Sequence, residues 1–340
     1  MHLSFRWYGP DDPVSLTKIR QIPGMTNIVS ALYDVPVGTA WPLDRLKQLR
    51  DQVEAADLQL SVIESIPVHE DIKLGRSGRD RHIDAFRQSL EHVAAVGADV
   101  VCYNFMPVVD WTRTSTDTPL PDGSTTLSYD HNTLQQLDDI DELSGLPGWA
   151  TAYDPADLRA LMDAYDDVSA EDLWANLAYF LERVVPVAER VGVPLAIHPD
   201  DPPWSLFGLP RIVTSGDALQ RLTELVDSPA NGVTLCTGSL GADPSQDLPT
   251  IVRRLNDRIH FVHARNVAVT GPKQFHETAH PEGDVDFHAV LRALKDIGFD
   301  GPLRPDHGRM IWGETGRPGY GLHDRALGAS YLHGLWDALD

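Results

Sequence analysis

The sequence is poor in lysine, in cysteine and in long apolar runs, and each shortage excludes something. Its five lysines (Lys18, Lys47, Lys73, Lys273 and Lys295) belong to a set of 28 basic residues that faces 50 acidic ones, for a net charge of −22. So negative a surface repels phosphate backbones and anionic bilayers, which argues against nucleic acid or membrane partners. Two cysteines, Cys102 and Cys236, make no disulfide framework in 340 residues, so a reducing cytoplasm is the expected compartment. Each lies in a β-like apolar run, and Cys102 is expected in the core. No apolar run approaches the roughly 20 residues that cross a bilayer. The opening Met-His-Leu-Ser-Phe-Arg has no basic region followed by a long apolar core, so no signal peptide is expected. Asp-rich faces such as Asp163-Ala164-Tyr165-Asp166-Asp167 leave two settings open, a high-salt habitat or an ordinary acidic enzyme.

What the chain does have is alternation. Eight short apolar runs, at 3–8, 26–32, 58–65, 98–105, 194–198, 232–236, 259–263 and 302–306, read as strands buried on both faces. Helix patterns intervene over 13–20, 42–56, 80–96, 171–190, 216–227, 246–257, 286–297 and 323–338. Eight strand–helix units predict a single α/β domain over 1–340, a (β/α)8 TIM barrel. A doubly wound sheet would need a Gly-rich phosphate turn after its first strand, and Trp7-Tyr8-Gly9-Pro10 is not one. The stretch 107–170 is too long for a plain connection. It reads as an insertion after the fourth strand, with a short helix near 155–165, and as a lid over the face where barrel active sites lie.

The last four strands end on metal-ligand residues: His198, Cys236, His263 and Asp306. Their spacings are each about one strand–helix unit, so no local finger motif is implied, but a barrel would bring them together at one side of its mouth. Thiolate, imidazoles and one carboxylate together favour a borderline ion, zinc or iron, over manganese. His307, next to Asp306 in Gly301-Pro302-Leu303-Arg304-Pro305-Asp306-His307-Gly308, is suited to move a proton near neutral pH.

Several blocks resemble the mannonate dehydratase family. They are Trp7-Tyr8-Gly9-Pro10, Pro67-Val68-His69-Glu70-Asp71-Ile72-Lys73, Val101-Cys102-Tyr103-Asn104-Phe105-Met106-Pro107, Ala196-Ile197-His198-Pro199-Asp200-Asp201-Pro202-Pro203 and Arg304-Pro305-Asp306-His307-Gly308. The resemblance implies a xylose-isomerase-like barrel and a manganese (or ferrous) cofactor. The implied activity is loss of water from D-mannonate to give 2-dehydro-3-deoxy-D-gluconate, in hexuronate (glucuronate) degradation. It puts the metal on His198, Cys236, His263 and Asp306, and the acid/base pair on His307 and Tyr320. In that reading His307 takes the C2 proton and Tyr320 protonates the departing C3 hydroxyl, with the roles open to exchange. Arg6, Lys73, Arg113 and Arg265 are then candidates to neutralise the acid substrate, and Trp7, His69, Tyr103, Asn104 and Trp111 to hold its hydroxyls. A homo-oligomer, a dimer, is expected. The alternatives are a metal-dependent sugar isomerase or epimerase, a dehydratase of another aldonic acid, and a sugar-acid-binding protein with a structural metal.

Overall fold

The structure is a computed structural model that describes residues 1–136 and 155–339. Among these, twelve strands follow in chain order: β1 (His2–Arg6), β2 (Asn27–Ser30), β3 (Gln59–Glu64), β4 (Val100–Tyr103), β5 (Ser115–Pro119), β6 (Thr125–Asp130), β7 (Leu195–Ile197), β8 (Asn231–Cys236), β9 (Ile259–Ala264), β10 (Val267–Gly271), β11 (Gln274–Glu277) and β12 (Pro302–Pro305). All eight predicted apolar runs become barrel strands. They close in the order β1-β12-β9-β8-β7-β4-β3-β2, and every ladder between neighbours is parallel. Side chains alternate along a strand, so one set fills the inside of the barrel: Val29, Val62, Val100, Cys102, Ala196 and Phe261. Cys102 is thus a core residue.

The helices pack outside the barrel where the periodicity places them, and their ends have local causes. Helix Ala170–Val191 starts at a capping box, in which Ser169 and Asp172 each satisfy the other's backbone N–H, and stops at Gly192, held at φ 72°. It buries Leu173, Leu177, Phe180, Leu181, Val184 and Ala188, and each large one removed from water contributes roughly 1.5–3 kcal/mol. The first helix is shorter than predicted, Leu16–Arg20, because Ser15 caps it by accepting the Lys18 N–H.

An antiparallel sheet in the order β10-β11-β6-β5 was not expected. Its β5/β6 hairpin lies in the insertion and turns through Pro121-Asp122-Gly123, with Gly123 at φ 84°. Asp-Gly between β-rich segments is the local hairpin signal for it. The predicted short helix of the insertion is there, at Pro155–Asp163. Residues 137–154 of the stretch 107–170 lie outside the described residues.

Candidate active site

Strand register sets the heights of the candidate ligands. Cys236 on β8 pairs with His263 on β9, and His263 with Arg304 on β12, so three adjacent strands present these side chains at one level. His198 and Asp306 stand one residue beyond β7 and β12. Ligand atoms of His198, Cys236 and His263 all lie within 4.8 Å of one another, and Asp306 Oδ2 is 3.9 Å from His263 Nδ1.

The hydrogen bonds of the two imidazoles show what this cluster can hold. His198 Nδ1 is 2.6 Å from the Pro199 carbonyl, which only accepts, so that nitrogen carries the proton. His263 Nε2 is 3.3 Å from Glu64 Oε2. Arg304 Nη2, which only donates, is 3.4 Å from His263 Nδ1, so the His263 proton belongs on Nε2, facing that carboxylate. The remaining nitrogens, His198 Nε2 and His263 Nδ1, face each other at 3.1 Å. Two lone pairs so placed need a shared proton or a cation between them. Two nitrogens bound to one ion at about 2.1 Å sit roughly 3.0–3.4 Å apart, so the spacing fits a coordination edge.

The charges point the same way. Burial raises the Cys236 thiol, but the Arg265 guanidinium and His198 bring it down to about 5. Burial lowers His198, but the Cys236 thiolate lifts it to about 9. Without metal, the cluster is therefore a buried thiolate–imidazolium pair in which a proton occupies the place of a cation. Asp306 is likewise raised by burial and held well below the carboxylate range by Arg304 and His307. His198, Cys236 and His263 could hold a divalent ion, with Asp306 within reach as a fourth ligand.

Beside them stands a second pair. His307 Nε2 lies 2.8 Å from the Tyr320 hydroxyl, and the two are 3% and 8% exposed. Burial pushes the Tyr320 hydroxyl well above its ordinary value, with Tyr8 and Asp306 adding to the shift, so it is a proton donor at neutral pH. Trp111 packs on the His307 ring, centroids 5.3 Å apart. Both groups open on a cavity of about 330 Å³ that also reaches His198, His263 and Asp306.

The predicted substrate contacts divide. Arg6, Asn104, Trp111 and Arg265 line the cavity; Trp7, His69, Lys73, Tyr103 and Arg113 do not, and each has another occupation. Trp7 is a buried wall residue whose carbonyl accepts from Ser30 and Tyr33. His69 caps the helix Glu70–Lys73 and stacks on His82. Lys73 is bound to Glu70 at 2.7 Å and to the Met106 carbonyl at 2.6 Å. Tyr103 packs among Phe86 and Phe180. Arg113 is fully buried and grips both oxygens of Asp201, at 2.9 and 3.1 Å.

Other site residues were not singled out from the sequence: Tyr8, Glu64, Asp201, Arg304 and Arg317 in the cavity wall, and Glu277 behind it. Glu64 and Arg304 carried a legible signal, a charged group at the end of a buried strand. Arg6, Arg265 and Arg304 each face a carboxylate, at 2.9, 2.8 and 2.7 Å. Arg317 forms no ion pair among the described residues; its guanidinium lies over the Tyr8 ring at 4.1 Å.

Comparison with known proteins adds the family. The model described as D-mannonate dehydratase (UxuA) matches residues 1–340. A mannonate dehydratase of Streptococcus uberis is 55% identical over 343 residues, covering 100% of this chain and 99% of that protein. Mannonate dehydratase 2 of Halalkalibacterium halodurans is 54% identical with the same coverage. The crystal structure of mannonate dehydratase from Streptococcus suis serotype 2 superposes with a TM-score of 0.93 at 49% identity, over 100% of this chain and 95% of that one. A xylose isomerase domain protein of Planctomyces limnophilus, 14% identical with a TM-score of 0.58 over 99% and 98% of the two chains, shares the fold alone.

Proposed function

The chain belongs to the D-mannonate dehydratase family, and from that premise we propose that it is a hydro-lyase that converts D-mannonate to 2-dehydro-3-deoxy-D-gluconate. The observation that carries this reading is an imidazole and a protonated phenol 2.8 Å apart, beside a thiolate–imidazole–carboxylate cluster. Elimination needs a base at C2 and an acid at C3, carbons about 1.5 Å apart. A bonded imidazole–phenol pair can address both. A sugar isomerase would instead move a proton between two carbons and would have no departing hydroxyl for Tyr320 to protonate.

The hard step is removal of the C2 proton beside a carboxylate that is already negative. A divalent cation held by His198, Cys236, His263 and Asp306 would supply Lewis-acid stabilisation of that added charge. His307 Nε2 takes the proton. Tyr320 Oη gives its own to the leaving hydroxyl. Arg317, which pairs with no carboxylate among the described residues, is the guanidinium best placed to attract the acid substrate. Trp111, carried by the insertion 107–170, covers His307 and keeps water from the base.

For the metal we carry manganese, with ferrous iron as the alternative. Softness alone favours zinc or iron for a site with a thiolate, so reconstitution must compare them. The reading extends to the cytoplasm, where two free thiols persist, and to a dimer, which sedimentation would test.

The deciding experiment is a 2-keto acid assay on metal-free protein reloaded with Mn, Fe, Zn or Mg and given a panel of aldonic acids. Product from D-mannonate supports the reading; saturable binding without product removes it. His307→Asn and Tyr320→Phe should each keep the metal and lose on the order of 10²–10⁴ in kcat. Wild-type turnover in either variant removes that residue from the mechanism.

A further inference from the structure

His307 stands on the barrel, just past β12, but the group that holds its far side comes from the small sheet. Glu277, the last residue of β11, places Oε1 2.7 Å from His307 Nδ1. The same oxygen accepts from Arg113 Nη2 at 2.7 Å and Nε at 3.1 Å. Glu277 and Arg113 are 0% exposed, and Arg113 is itself braced by Asp201, so the oxygen has little freedom to move. A guanidinium only donates, so an oxygen that takes two Arg113 N–H groups is an acceptor, and it can only accept from His307 as well.

That acceptor settles which tautomer the neutral ring takes. Nδ1 must be the N–H, and Nε2, next to Tyr320, keeps its lone pair. A rival donor waits close by: Arg265 Nη1 is 3.4 Å from the same Nδ1. A guanidinium only donates. Without Glu277 it would favour the tautomer whose Nε2 carries the proton, and such a ring cannot take one from a substrate.

We propose that Glu277 is a positioning residue that fixes the productive tautomer of His307 against Arg265, so that the small sheet is part of the catalytic machinery. The inference rests on the reading of His307 as the base. It applies the general arrangement in which a buried carboxylate orients a catalytic imidazole.

The test uses Glu277→Leu, Glu277→Gln and Glu277→Asp in metal-loaded protein. Nitrogen-15 NMR of the histidine rings is recorded on metal-free protein, with the His307 signals identified by their loss in His307→Asn. Glu277→Leu should lose on the order of 10²-fold in kcat, with KM within about threefold, and Glu277→Gln, which keeps a weaker, uncharged acceptor, should lose about tenfold. Glu277→Asp should recover part of the loss. The wild-type ring should be protonated on Nδ1 and the Glu277→Leu ring on Nε2. Arg113 keeps its two bonds to Asp201 in every variant, and Glu277→Gln preserves the volume and an acceptor should Glu277→Leu not fold. Unchanged kcat in Glu277→Leu, or in Glu277→Gln should the leucine variant not fold, overturns the proposal, as does Nδ1 protonation retained in Glu277→Leu. A wild type that does not dehydrate mannonate would overturn the proposed function instead, while the NMR comparison would still decide the role of Glu277.

Discussion

Two thiols lie in the barrel, one layer apart, and behave in opposite ways. Cys102 and Cys236 are 1% and 0% exposed. Thr234, two residues before Cys236 on β8, donates to Cys102 Sγ at 3.4 Å, so the two sulfurs occupy successive inward-facing levels. At the lower level, burial and the charge on Glu64 push the Cys102 thiol far above its ordinary value. At the upper one, burial acts the same way but Arg265 and His198 outweigh it, and Cys236 falls to about 5. Depth alone therefore does not make a thiolate. The guanidiniums and imidazoles aimed at the barrel mouth do, and they convert one of two equally hidden sulfurs into a buried anion.

The largest expected effect sets the two levels against each other directly. Cys236→Ser should weaken metal binding and turnover together, by on the order of 10²-fold or more, since a serine hydroxyl does not ionise to replace the thiolate. Cys102→Ala should leave both within about twofold and lower stability by about 1–2 kcal/mol, the cost of a small buried void. Metal titration by calorimetry, with thermal unfolding of each variant, measures all of this. Equal loss of metal in the two variants would erase the distinction between levels.

A smaller effect sharpens the same contrast. Thiolate absorbance near 240 nm in metal-free protein should correspond to one sulfur at pH 7 and should fade as pH falls through about 5. Cys236→Ser should abolish it, and Cys102→Ala should leave it unchanged. A full signal in Cys236→Ser would assign the anion to the wrong sulfur.

How much of this difference could be read beforehand follows from its physics. The barrel was legible because burial on both faces writes continuous apolar runs, and the end of each run marks where the chain meets the mouth. His198, Cys236, His263 and Asp306 were visible for that reason alone. What was hidden needs two segments at once. Nothing near Arg113 in the sequence says that Asp201 and Glu277 take up its nitrogens, so the sequence alone points it at a substrate. Nothing near Glu277 names His307, 30 residues on. Lys73 and Tyr103 sit in the same blocks that resemble the family, yet they serve the fold; such blocks do not separate residues that touch a substrate from those that support the residues that do.

The smallest effect lies in the pH dependence of stability of the metal-free protein, and its sign can be worked out. A depressed thiol contributes stability that is present above its ordinary value of 9.0 and is lost as pH falls to about 5. A raised imidazole contributes stability present below its ordinary 6.5 and lost as pH rises to about 9. Taken as a pair, the folded site releases protons near 5 and 9, and the unfolded chain releases them near 6.5 and 9.0. The two forms therefore bind different numbers of protons only between about 5 and 6.5, where the unfolded chain holds more. Stability from the pair should rise with pH across that window and stay level to about 9. The gap in unfolding temperature between metal-free wild type and Cys236→Ser should open from pH 5 to 6.5 and then hold, while the gap to Cys102→Ala should be the same at every pH. A Cys236→Ser gap that is flat from pH 5 upward would mean that the mouth holds no ion pair, and that its sulfur is as inert as the one beneath it.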